Sequence, residues 1–90
     1  MLNIVWKSQF KKDFKKISKH QKNLEKLSYI VKEIQQGKAL SAKYKNHKLK
    51  GDYIDCWECH IEPDWLLIYK IDYTQNELIL IRTGSHSDLF

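Results

Sequence analysis

His47, His60, His86, Asp64 and Arg82 are the side chains in the second half of the chain whose types can move protons and hold a phosphate. Histidines and a carboxylate working near neutral pH supply a general base and a general acid. A guanidinium adds bidentate hydrogen bonds that stabilise a phosphorane in its transition state. RNA carries its own nucleophile, the 2′-OH, so such a set, once assembled, could cleave an RNA backbone with no metal and no cofactor. Each residue also has a plainer reading: a surface histidine, an arginine paired on a rim, an aspartate holding its turn. Spacing along the sequence does not bring them together. The fold has to.

The stretch CWECHIEPDWLLIYK, beginning at Cys56, contains a different candidate, a Cys-x-x-Cys-His string of the kind that attaches haem. Residues three apart share a face in a helix, but an odd separation sends them to opposite faces of a strand. The alternation from Tyr53 onward is that of a strand. Tyr53, Trp57, Cys59 and Ile61 form its apolar set, and Cys56, Glu58 and His60 point the other way. The two cysteines are then divided, which rules out haem, a disulfide and the converging ligands that zinc needs. Cys59 reads as core and Cys56 as incidental. The same alternation puts Glu58 and His60 side by side on the face away from the core.

The elements that would carry these residues are legible in outline. NIVWK reads as a first strand. Ser8 can cap a helix in which Phe10, Phe14 and Ile17 form an apolar stripe, with Lys11, Lys12, Lys15, Lys16 and Lys19 on the opposite arc. After a break near His20, Asn23 can cap a second helix with Leu24, Leu27, Val31 and Ile34 inward, and Gly37 stops it. The stretch ALSAKYKNHKLKG has no period and reads as a basic loop or a short extended segment. Strands follow over residues 53–61, 65–72 and 77–83, joined by EPD and DYTQN turns. The order β-α-α-β-β-β gives an α+β fold, two N-terminal helices packed on a mostly antiparallel four- to five-stranded sheet.

Ninety residues make one domain, residues 1–90, with a core of its own. No apolar run is long enough to span a membrane, and the N-terminus lacks the apolar stretch of a signal peptide, so the expected compartment is the cytoplasm. Charge is divided unevenly. Residues 1–50 carry 14 Lys and three acids, a balance of +11, whereas residues 51–90 carry Lys70, Arg82 and eight acids, a balance of −6. Such a concentrated basic half attracts polyanions, nucleic acid above all. Lys43, Lys45, Lys48 and Lys50 of the basic loop would hold the phosphate backbone, and Trp65 or Phe90 would stack a base.

The strings NHKLKGDY, ECHIEPDWLLIYK and RTGSHSDLF occur in that order and resemble the YafQ branch of the RelE/ParE superfamily, toxins of bacterial type II toxin–antitoxin modules. The resemblance covers nearly the whole chain and is specific from His47 onward. It implies a RelE-like toxin that enters the ribosomal A site and cuts mRNA without a metal. The functional positions of that family fall on His47, His60, Asp64, Arg82, His86 and Phe90. Glu58 stands where relatives usually carry Asp, among the residues expected to bind substrate. His86 with Asp64 is the pair expected to transfer protons. The resemblance also implies an antitoxin that covers the basic surface, and promoter DNA bound only by the toxin–antitoxin pair, with no membrane partner. Two positions depart from the pattern. Trp57 replaces a basic residue, and Asn46 replaces the Asp that would orient His47. The rival readings are cleavage of free RNA without ribosomes, a gyrase poison of the ParE type, and an RNA-binding protein with no catalysis.

Overall fold

The computed structural model of the chain describes residues 1–20 and 22–90. Its elements run β1 (Asn3–Trp6), α1 (Ser8–Lys19), α2 (Leu24–Gln35), β2 (His47–Lys48), β3 (Trp57–Glu62), β4 (Trp65–Asp72), β5 (Glu77–Gly84) and α3 (His86–Leu89). The strands form one sheet in the order β1-β5-β4-β3-β2, with β1 parallel to β5 and every other pair antiparallel. This is the α+β architecture read from the sequence.

The run WLLIY at the start of β4 is buried at every position, which a central strand achieves by having both faces covered. Trp65, Leu67 and Tyr69 face the main core with Cys59, Leu78 and Leu80, and Phe10, Ile17, Leu27, Ile30 and Ile34 of the two helices close it. Leu66 and Ile68 face the other way and meet Cys56 and Leu89, with Leu49, Tyr53 and Ile81 packed alongside. The sheet therefore has a thick helical side and a thin second side. The candidate residues His47, Glu58, His60 and Arg82 lie on the second.

Local departures from the sequence reading have local causes. Ser8 does not cap α1; it is the first helical residue, preceded by extended Lys7, with no side-chain cap. Asn23 does cap α2, its Oδ1 accepting from the Glu25 N–H at 3.1 Å. Gly37 ends that helix in a left-handed conformation, φ +76°, that favours glycine. Strand β3 begins at Trp57 rather than Tyr53, because residues 51–53 form a 3-10 turn and Asp55 is left-handed, φ 69°. Tyr53 thus falls outside the alternation and packs with Cys56 on the second face, not with Trp57 and Cys59. Cys56, read as incidental, is buried there as part of the second cluster. The basic stretch holds a 3-10 turn, Ala42–Tyr44, and the two-residue β2.

One short helix was not legible at all. Ser85 and Asp88 cap α3 reciprocally: the Ser85 hydroxyl accepts the Asp88 N–H at 3.2 Å, and the Asp88 carboxylate accepts the Ser85 N–H at 3.1 Å. Gly84, φ +156°, lets the chain turn into it; a Cβ there would stand 3.2 Å from the Asp88 side chain. Among the described residues no helix is long and apolar enough to cross a membrane.

Candidate active site

Partners across a sheet point to the same side, and the register sets His47, Glu58, Ile68 and Arg82 in one row from β2 to β5. His60, Leu66 and Gly84 form the next row. Two strand spacings, roughly 10 Å, separate the Glu58 end of the row from Arg82. Arg82 reaches this side because β5 is irregular: Leu80 pairs with Tyr69 and Arg82 with Ile68, leaving Ile81 as an extra residue. Without that bulge, Arg82 would follow Leu78 and Leu80 into the helical core.

Glu58 is the hub of the histidine end. It is buried, and its Oε1 lies 3.4 Å from His47 Nε2 and 3.7 Å from His60 Nε2. Its other oxygen has no hydrogen-bond partner among the described residues. His47 is oriented by the Lys45 carbonyl, 2.7 Å from Nδ1. A carbonyl only accepts, so Nδ1–H donates and Nε2 is turned to Glu58. The backbone supplies the orienting partner that Asn46 does not; Asn46 Oδ1 accepts from the Tyr69 hydroxyl at 2.7 Å.

The ring of His60 lies between the other two, 6.3 Å from that of His47 and 5.6 Å from that of His86. His86 opens α3, and the β3–β4 turn places Asp64 against it. Asp64 Oδ1 accepts the His86 backbone N–H at 2.9 Å and lies 2.7 Å from its Nδ1. The backbone bond from His86, then its ring, holds the Asp64 carboxyl below its usual value, so it stays ionised. This fixes the ring and leaves Nε2 as the free nitrogen.

Arg82 is gripped from the other direction. Asp13 of α1 accepts from Arg82 Nε at 2.7 Å and from Nη2 at 3.2 Å. The same carboxylate accepts the Thr83 N–H at 3.2 Å and the Gln9 amide at 3.2 Å. It stands where a strand neighbour is missing, since β1 pairs with β5 only as far as Leu80. The hydrogen bonds that Arg82 donates to Asp13 raise the arginine's pKa, so the guanidinium stays charged. Nη1 is left toward the Tyr53 hydroxyl, 3.5 Å away, and the Tyr53 ring meets Phe90 edge-on at 5.9 Å. Phe90 is exposed.

The structure thus brings His47, Glu58, His60, His86 and Asp64 into one arc, with Arg82, Tyr53 and Phe90 across the face from it. Lys43, Lys45, Lys48 and Lys50 are all exposed, and Lys45 and Lys48 lie close to His47 in the chain. Lys48 rests 5.7 Å over the Trp57 ring, which packs on the helical core as expected. Trp65 departs from expectation. It is fully buried, its indole N–H donating to Thr83 Oγ1 at 3.0 Å, so no base can stack on it. Glu58 binds histidines rather than offering a surface contact. Asp13 and Tyr53 were missed. Asp13 had a signal, a lone carboxylate inside the Phe10–Ile17 stripe; Tyr53 had none. Burial pushes the Cys59 thiol up to about 12 and raises that of Cys56, so neither is poised to react. Among the described residues no three His, Cys, Asp or Glu side chains converge as a metal ion requires.

The chain as a whole is similar to known proteins. The family described as "Bacterial toxin of type II toxin-antitoxin system, YafQ" matches residues 2–90. The mRNA interferase toxin YafQ of Escherichia coli K12 is 39% identical over 89 residues, 98% of this chain and 95% of that protein. A metal-bound toxin from Helicobacter pylori superposes with a TM-score of 0.94 at 43% identity, each chain covered in full. The toxin chain of the E. coli DinJ-YafQ toxin-antitoxin complex superposes at 0.88 with 37% identity, covering 99% of this chain and 97% of that one.

Proposed function

This chain belongs to the YafQ family of bacterial type II toxins, and from that we propose an mRNA interferase in which side chains alone cut the backbone. The observation that carries the chemistry is the His86–Asp64 pair, 2.7 Å apart, with the His60 ring 5.6 Å from that of His86. Two imidazoles that close can serve both oxygens of one phosphate. One takes the proton from the 2′-OH as its oxygen attacks phosphorus; the other gives a proton to the departing 5′ oxygen. The products are a 2′,3′-cyclic phosphate and a 5′-hydroxyl end. Asp64 and Glu58, each against a histidine, stabilise the imidazolium formed on its side. Arg82, presented flat by Asp13, takes the charge that builds on the non-bridging oxygens. His47 positions the substrate beside Lys45 and Lys48, and Phe90 with Tyr53 offers an edge to a base.

The ribosomal A site is the proposed place of cleavage. A body of 35 × 27 × 25 Å with a lysine arc along α1 suits a niche walled by ribosomal RNA. The E. coli relative solved with DinJ supports a cognate antitoxin as partner, and the exposed basic residues offer it a complementary surface.

The test is to map RNA 5′ ends after brief induction of the wild type, His86→Gln and Arg82→Ala. New ends at fixed codon positions in translated messages are expected, reduced roughly 10²-fold or more in both variants. Growth arrest without new ends would overturn the nuclease. Ends spread equally over untranslated RNA would keep the enzyme and remove the ribosome.

A further inference from the structure

Among the described residues the outer edge of β3 has no strand neighbour beyond Glu58, because β2 pairs with it only at Trp57 and Glu58. A groove of about 620 Å³ opens there, between the start of α2 and the Ala42–Tyr44 turn. Its size lies in the range of sites that take a nucleotide-sized ligand, roughly 300–1,000 Å³. Ile30 and Ile61, both buried, form part of its lining, and Tyr29, 54% exposed, stands in its wall with Tyr44. Lys43 and Lys45 lie along it, and Lys43 Nζ sits 5.1 Å over the Tyr44 ring. Glu25 and Glu62 line it too, but Glu62 is compensated by Lys26 at 2.8 Å and Lys22 at 4.0 Å. Lys43 and Lys45 make no ion pair among the described residues. An apolar lining, aromatic walls and cations free of ion pairs are what a base and its phosphate require together. His60 lines the groove and also belongs to the histidine arc. His60 is thus the residue common to the groove and the arc.

We propose that this groove is the subsite for the nucleotide adjoining the scissile phosphate, its base against Tyr29 and Tyr44 and its phosphate between Lys43 and Lys45. The proposal rests on the ribonuclease reading above. It makes Tyr29 a residue that sets which sequences are cut, although it lies on α2 and outside the catalytic arc.

Cleavage of a synthetic message in a reconstituted translation system tests this, comparing the wild type with Tyr29→Ala, Tyr29→Phe and Lys43→Ala. Tyr29→Ala is expected to raise KM about tenfold at favoured sites, the low end of what stacking of one base provides. It is also expected to level the rates among sites, and Tyr29→Phe to restore both. A merely structural defect would slow every site alike. Lys43→Ala is expected to raise KM without altering preference. A message with one abasic nucleotide beside the cut tests the same point with unaltered protein: the wild type loses rate, and Tyr29→Ala loses nothing further. Unchanged relative rates in Tyr29→Ala, together with indifference of the wild type to the abasic nucleotide, would overturn the subsite and leave the nuclease standing. No cutting by the wild type would remove both.

Discussion

Asp13 accepts four hydrogen bonds, two of them from Arg82, and so decides where the guanidinium points. Asp13→Asn puts an amide N–H among donors and leaves polar groups of the pair unmet. The expected cost is about 1–3 kcal/mol of stability, read by urea unfolding. The more telling measurement is catalytic. Because Asp13 acts through Arg82, the double variant Asp13→Asn with Arg82→Ala should cut no more slowly than Arg82→Ala alone. Additive losses would detach Asp13 from the arginine. Asp64 supplies a second expectation at this scale. Its folded pKa is lowered by the His86 backbone bond, so the stability it contributes is complete above the ordinary carboxylate value and lost as pH falls through the lower folded one. Its side-chain carbon, followed by NMR, should titrate below about 3.9, with the His86 amide shifting in step. A normal midpoint would mean that the pair does not form in solution.

Elements explain which parts of the site could be read without coordinates. Alternation in β3 placed Glu58 and His60 together while dividing the cysteines. Those readings needed only period two. Arg82 was beyond them, because Leu78, Leu80 and Arg82 alternate toward the core and only the bulge at Ile81 turns the arginine to the other face. Trp65, expected to stack a base, failed for another reason: its place in the central strand buried it. The α3 turn was invisible because four residues show no period, and its stability comes from the Ser85–Asp88 caps. Gly84 is the joint on which it depends. Gly84→Ala forces a strained backbone against Asp88 and is expected to destabilise by about 1–3 kcal/mol. Crosspeaks of His86 and Phe90 should move most in its NMR spectrum, since both ride on that turn. A variant as stable as the parent, with His86 unmoved, would show that the glycine is dispensable.

At the scale of the molecule, charge and connectivity dominate. The excess of Lys in the first half makes RNA association salt-dependent, with a slope of log K on log salt of about −0.7 for each phosphate neutralised on single strands. Exchanging Lys43, Lys45 and Lys48 for Gln should therefore flatten that slope by about 2 while leaving the fold intact. An unchanged slope would move the RNA elsewhere. The pairing of β1 with β5 has another consequence, one of timing. Asn3 waits for Glu77 and Asp13 waits for Arg82, so the first strand has no sheet to join and the arginine no clamp until residues from the far end of the sequence have arrived. His86 and Phe90 come later still. A chain still under synthesis can hold two finished helices and three lined-up strands while Arg82, His86 and Phe90, without which the proposed site is incomplete, are still to be made. On the function proposed above, the ribosome that builds this protein is spared by the order in which it builds it.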